Sequence, residues 1–122
     1  MKRRLYIETT VVSYFTARPS RDLLVAAHQE STHELWPRLN TTYDTYVSAL
    51  VYEEAAKGDA EQASGRLAAI ASFRMLDIDD DSRALAEKLV AGRGIPREYP
   101  EDALHIAVAA IKRVVLAAAE QV

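Results

Sequence analysis

The run "RLYI", Arg4 to Ile7, constrains the fold of this chain more than any other stretch. Leu5, Tyr6 and Ile7 are strand formers with no polar residue alternating between them, and they break off at Glu8-Thr9-Thr10. A strand that is apolar on both faces has to be covered on both. That is the situation of a parallel sheet with helices above and below it.

The rest of the chain agrees with this reading. "YDTYVS", Tyr43 to Ser48, and "RMLDI", Arg74 to Ile78, read as a second and a third strand. Between the first two, Pro19 and Ser20 introduce "RDLLVAAHQESTHELW", whose apolar residues recur at helical spacing; Ser20 is the expected N-cap and Pro37 the stop. Ser48 is expected to cap "ALVYEEAAKG", which ends at Gly58. Asp59, with Gln62 three residues on, resembles a capping box at the start of a helix leading toward Phe73. The acids Asp79 to Asp81 precede "SRALAEKLVAGRG", a helix closed by Gly92, and a last helix starts at Pro100. Strand and helix alternate without repeat or linker. This predicts one α/β domain over residues 1–122, a three-layer α/β/α sandwich with a central parallel sheet.

Composition narrows the class. At 122 residues the chain supports one core and not two. No cysteine is present, which removes disulfides and thiolate metal sites and fits a cytoplasmic protein. No apolar run approaches the roughly 20 residues of a membrane span, so no membrane partner is expected. Fifteen Lys and Arg face eighteen Asp and Glu, a formal charge of −3, which does not favour nucleic acid by bulk charge alone. The local clusters Lys2-Arg3-Arg4, Arg18 with Arg21, Arg93 with Arg97, and Lys112-Arg113 read as solvated surface.

In parallel sheets, ligands bind beyond the carboxyl ends of the strands. Three acids belong to that rim. Glu8 ends the first strand, Glu54 lies about two turns into the helix after the second, and Asp102 is in the first turn of the last helix. Converging carboxylates repel unless a cation lies between them, and oxygen ligands without thiolates suit Mg²⁺ or Mn²⁺. Each acid also has an ordinary role open to it. Asp102 can serve the helix dipole, and Glu54 can pair with Lys57. However, Glu54 shares its helical face with Leu50 and Val51, whereas Glu53 lies about 100° around the helix. His105 follows Asp102 by one turn and can pack, hydrogen-bond or orient a carboxylate; with His28 and His33 it forms no recognisable metal spacing.

"YIETTVVSYF", "VSALVYEEAAKGD" and "EDALHIAVAA" resemble, in order, the three motifs of PIN domains, most closely those of VapC-type toxins. The resemblance runs from about Leu5 to about Ile111. It implies a Mg²⁺- or Mn²⁺-dependent ribonuclease, a homodimer, an RNA substrate and a cognate antitoxin protein. It places the catalytic, metal-holding acids on Glu8, Glu54 and Asp102, with Ser48 and Val51 in the S-x-x-V-x-x-E pattern and Thr9 as a supporting hydroxyl. Two features depart from the family. Its first acid is usually Asp, so Glu8 moves the carboxylate by about 1.5 Å. Its members also continue into a segment such as T-N-D or T-W-N, where this chain reads "KRVVLAAAEQV". Val114 to Leu116 could begin the corresponding strand, and Glu120 matches no motif. A PIN-like module that binds RNA or an antitoxin without cleaving is therefore the alternative. A phosphoryl-accepting receiver domain needs paired acids at the first strand, where a single glutamate and two threonines stand. Tyr14, Phe15 and Tyr99 are candidates to stack on unpaired bases, with core packing the better role for Phe15.

Overall fold

The computed structural model describes residues 2–92, 95, 96 and 100–112 and the backbone of 115–117. Arg93, Arg97, Tyr99, Arg113, Val114 and Glu120, each named above, lie outside the described residues.

The central strand is the first in sequence. β1 (Arg3–Ile7) pairs in parallel with β2 (Tyr43–Ser48) on one side and with β4 (Val115–Ala117) on the other. β3 (Arg74–Leu76) continues the sheet beyond β2, giving the order β3-β2-β1-β4. The expected α/β class with a parallel sheet is what the chain adopts. Leu5, Tyr6 and Ile7 are all buried, as a strand covered on both faces requires.

Helices fill the crossovers. α1 (Thr9–Thr16) and α2 (Leu23–Leu35) lie between β1 and β2, and α3 (Ala49–Ala55) and α4 (Ala60–Ile70) between β2 and β3. α5 (Asp80–Ala91) and α6 (Pro100–Ile111) lead from β3 to β4. α1 packs on α2, α3 and α4, and α5 packs on α6. The first two crossovers step one way along the sheet and the third steps back across it. Right-handed connections therefore carry the two helix groups to opposite faces, an arrangement compatible with an α/β/α sandwich.

Local chemistry sets most boundaries as expected. Ser48, Asp59 and Asp79 accept hydrogen bonds from the backbone N–H groups of Val51, Gln62 and Ser82 and cap α3, α4 and α5. Gly58, at φ 86, takes the left-handed conformation after α3 that glycine adopts without penalty. Two expectations need correction, and one segment has no element expected of it. Asp22, not Ser20, caps α2; the Ser20 hydroxyl instead accepts from the Asp22 N–H at 3.1 Å. β3 ends at Leu76, two residues before Ile78. The segment after Glu8 is a helix of eight residues, because burying Val11 and Val12 outweighs the weak helix preference of β-branched residues.

The main core joins Leu5, Ile7, Val11, Val47, Val51, Ile70, Phe73 and Val108 across the sheet. Phe15 stacks on Trp36 at 4.0 Å between ring centres, the packing role expected of it, and Tyr14 stacks on His28. A smaller alanine contact, Ala86 with Ala103 and Ala107, lets α5 approach α6 closely. The carboxyl end of α6 is tied at two points. Arg4 Nη1 donates to the Lys112 carbonyl at 3.0 Å, and Lys112 Nζ meets Asp79 Oδ2 at 2.7 Å.

Ile70 is fully buried at the end of α4. Ile70→Ala should lower unfolding stability by about 2–5 kcal/mol in urea, as other large-to-small core changes do. An unchanged midpoint would show that this corner of the core does not hold the helices.

Candidate functional site

The carboxyl ends of β1 and β2 face α6, and a row of polar side chains joins the three elements there. Tyr6 and Ser48 come from adjacent parallel strands, and the Tyr6 hydroxyl lies 2.7 Å from Ser48 Oγ. The same hydroxyl is 2.7 Å from His105 Nδ1, on the face of α6 that covers the sheet. His105 Nε2 lies 2.9 Å from Glu54 Oε1, and the Thr9 hydroxyl donates to that same oxygen. Ser48 Oγ in turn accepts the Val51 N–H at 3.4 Å, so one side chain both caps α3 and begins the row.

Hydrogen-bond arithmetic gives the row a direction. A carboxylate only accepts, so His105 carries its hydrogen on Nε2. In the neutral ring Nδ1 is then an acceptor, and the Tyr6 O–H is its donor. Ser48 is left to donate to the Tyr6 oxygen. The sequence Val51 N–H, Ser48 O–H, Tyr6 O–H, His105 Nε2–H, Glu54 carboxylate therefore runs one way, with Thr9 arriving at the far end. Every buried side-chain nitrogen and oxygen among the described residues has a hydrogen-bond partner.

Burial, with the Glu54 and Glu8 charges adding to it, pushes the Tyr6 hydroxyl far above the ordinary tyrosine range, so it stays a donor. Glu8 caps α1, its Oε1 accepting the Val11 N–H at 3.3 Å, and it is only 8% exposed. Burial raises its carboxyl above the usual range. The backbone N–H of Thr10, the neighbouring His105, the Thr10 hydroxyl and the Val11 N–H pull the other way without cancelling that rise. Burial also pushes Glu54 upward, but hydrogen bonds from His105 and Thr9 outweigh it and leave that carboxyl below its usual range. Two carboxylates at one rim thus differ. Glu54 is compensated by its neighbours, and Glu8 is not fully so.

Glu54 is half-buried while Glu53 is exposed, as the helical argument required. Lys57 acts on Glu54 only at range; its contacts are Thr9 and His105. The structure therefore brings together Glu8, Thr9, Ser48, Glu54 and His105. Asp102 stands exposed in the first turn of α6, three residues before His105. Tyr6, the hub of the row, is the residue that the sequence reading passed over as a strand former. The available signal was its hydroxyl, which in a strand buried on both faces must find a partner. At the carboxyl end of β3, a cavity of about 470 Å³ is lined by Leu50, Glu53, Met75, Asp77, Arg83 and Glu101 among others.

In kind, the donors fit a hard divalent ion: they are carboxylate oxygens, and the nearly buried Glu8 lacks full compensation for its charge. In number, no three acidic or imidazole groups among the described residues are gathered closely enough to hold one ion. One or two carboxylates are what Mg²⁺ commonly takes from a protein, with water and phosphate oxygens completing its shell.

Neither the protein-family models nor the curated proteins compared with this chain match it.

The raised Glu8 carboxyl has a thermodynamic consequence. A carboxyl whose folded pKa lies above its unfolded value favours the folded state at low pH, and that contribution is lost as the pH rises through the folded value. Glu8→Gln keeps an oxygen for the Val11 N–H and removes the charge. In metal-free buffer at pH 7 it should raise stability by about 1 kcal/mol, the usual yield of relieving a costly site. The gain should vanish below about pH 4, where wild-type Glu8 is protonated in both states. Urea midpoints of both proteins across pH would check this; a gain that persists at low pH would contradict the assignment.

Proposed function

We propose that this chain is a metal-dependent ribonuclease of PIN-like fold, the toxin of a toxin–antitoxin pair. One observation carries the reading. Glu54 takes hydrogen bonds from Thr9 and His105, and Glu8, the residue before Thr9 and far from Glu54 in sequence, caps α1 at the end of the same parallel sheet. The ordered match of three sequence motifs supports it. An RNA substrate, an antitoxin partner, a homodimer and a cytoplasmic site of action follow from the resemblance.

In this reading Glu8 and Glu54 hold Mg²⁺ or Mn²⁺, and Asp102 contributes from the first turn of α6. When bound, the ion supplies charge neutralisation at phosphorus and an activated water. The chain's own residues do the positioning. Thr9 and His105 both engage Glu54 Oε1 and fix its orientation, which is the supporting role that neighbours of metal-holding carboxylates commonly play. Glu8 stays on the N-terminus of α1. The cavity at the end of β3 is lined by Glu53, Asp77 and Glu101 against Arg83, so its acids outnumber its bases. An RNA strand crossing this rim therefore depends on the ion for positive charge.

A second reading, a PIN-like module that binds a partner without cleaving, is favoured by the exposure of Asp102 and the pairing of Glu54 with His105. Two measurements separate the readings. Calorimetry with Mn²⁺ on folded wild-type protein and on Asp102→Asn should show binding that weakens at least tenfold in the variant. No binding by the wild type would favour the non-cleaving module. Under the ribonuclease reading, Glu54→Gln should reduce Mn²⁺-dependent cleavage of an RNA pool by 100-fold or more. Cleavage at the wild-type rate would defeat it.

A further inference from the structure

We infer that Arg4, Tyr46 and Arg74, side by side on the neighbouring strands β1, β2 and β3, form a second contact surface for single-stranded RNA, away from the acidic rim. The inference takes its ligand from the ribonuclease reading, while the surface itself stands on the geometry of the sheet.

Register puts the three side chains together. Tyr46 pairs with Tyr6 on one side and with Arg74 on the other, and Arg4 precedes Tyr6 by two residues. Side chains alternate along a strand and match across paired positions, so all of these lie on one face. The Arg4 guanidinium lies over the Tyr46 ring, 5.0 Å from its centre. Arg4, and after it Arg74, also hold the Tyr46 hydroxyl below the ordinary tyrosine range. Both arginines are exposed and the tyrosine is half-buried, so the surface is open to a ligand.

Charge names the ligand. Among the described residues the ion pairs are His105 with Glu54 and Lys112 with Asp79, so neither guanidinium meets a carboxylate. Even Asp44, opposite Arg4 in register, forms no ion pair with it. Arg4 gives one N–H to the Lys112 carbonyl, and a guanidinium has several more for an anion. Two such forks flanking an aromatic ring suit phosphates on either side of a stacked base. An acidic peptide would use the forks but not the ring. Glu8 follows Arg4 by four residues of extended chain, about 13 Å, a distance that a short oligonucleotide spans.

Fluorescence anisotropy with a labelled, mixed-sequence single-stranded RNA in EDTA measures binding without cleavage. Wild-type protein should bind at about 50 mM salt and weaken as salt rises. Arg4 also holds the Lys112 carbonyl, so the test is read on Arg74, whose removal leaves that anchor intact. Arg74→Ala should bind about tenfold more weakly, and its slope of log affinity against log salt should be smaller by about 0.7, one phosphate contact on a single strand. Tyr46→Leu should weaken binding severalfold with the slope unchanged, as loss of stacking alone does. Lys88→Ala, which removes an exposed charge on α5, should change neither. No RNA binding by the wild type, or equal effects of Arg74→Ala and Lys88→Ala, would overturn the inference. So would displacement of the RNA by an oligoglutamate of equal length at equal concentration, which would assign the surface to an acidic protein segment. Binding that depends on Arg74 with no cleavage in Mn²⁺ would keep the surface and defeat the ribonuclease reading. Cleavage by a protein whose RNA binding ignores Arg74 would do the reverse.

Discussion

A hydroxyl on the innermost strand sets the terms for the rest of this fold. Tyr6 is fully buried between two layers of helices, and an unpaired hydroxyl there would cost about 1–3 kcal/mol. Its two partners, Ser48 and His105, come from the neighbouring strand and from the last helix described. Satisfying one polar atom therefore sets where α6 lies against the sheet, and with it where His105 meets Glu54. Nonpolar packing alone tolerates small slides of a helix over a sheet. A hydrogen bond of 2.7 Å does not.

The two carboxylates at the rim show how stability and chemistry divide. Glu54 is embedded in donors and stays ionised easily, while Glu8 is held where its charge is costly. A fold selected for stability alone would place Ser, Thr, Asp or Asn at the cap of α1, since these short side chains reach the N–H groups with less burial of charge. A glutamate there keeps a nearly buried carboxyl at the rim.

Much of this was legible in the sequence, and the rest was hidden for identifiable reasons. The unbroken apolar run at Leu5 to Ile7 indicated a doubly covered parallel strand, and capping chemistry located α3 and α4 through Ser48 and Asp59, whereas Asp79 to Asp81 announced α5 by charge and Asp79 proved to be its cap. Helical periodicity separated Glu54 from Glu53. In contrast, "TTVVSYFT" carries two adjacent valines and reads poorly as a helix; only the sheet packed against it makes Val11 and Val12 worth burying as one face. Ser20 reads as the cap of α2, but Asp22 two residues on has the same capping chemistry and is the one the fold uses. Tyr6 was hidden most deeply. Its partners lie 42 and 99 residues away, beyond the reach of any local pattern.

That last separation bears on how the protein comes into being. A chain made from its N-terminus has β1 and α3 long before α6, so Glu54 exists early but has no His105 to hold it. Contacts of such long range form late and slowly in folding. The row is thus assembled only after α6 has been made, and a molecule that stops short of it carries Glu8 and Glu54 without His105. The order of synthesis itself therefore sets when the rim is complete.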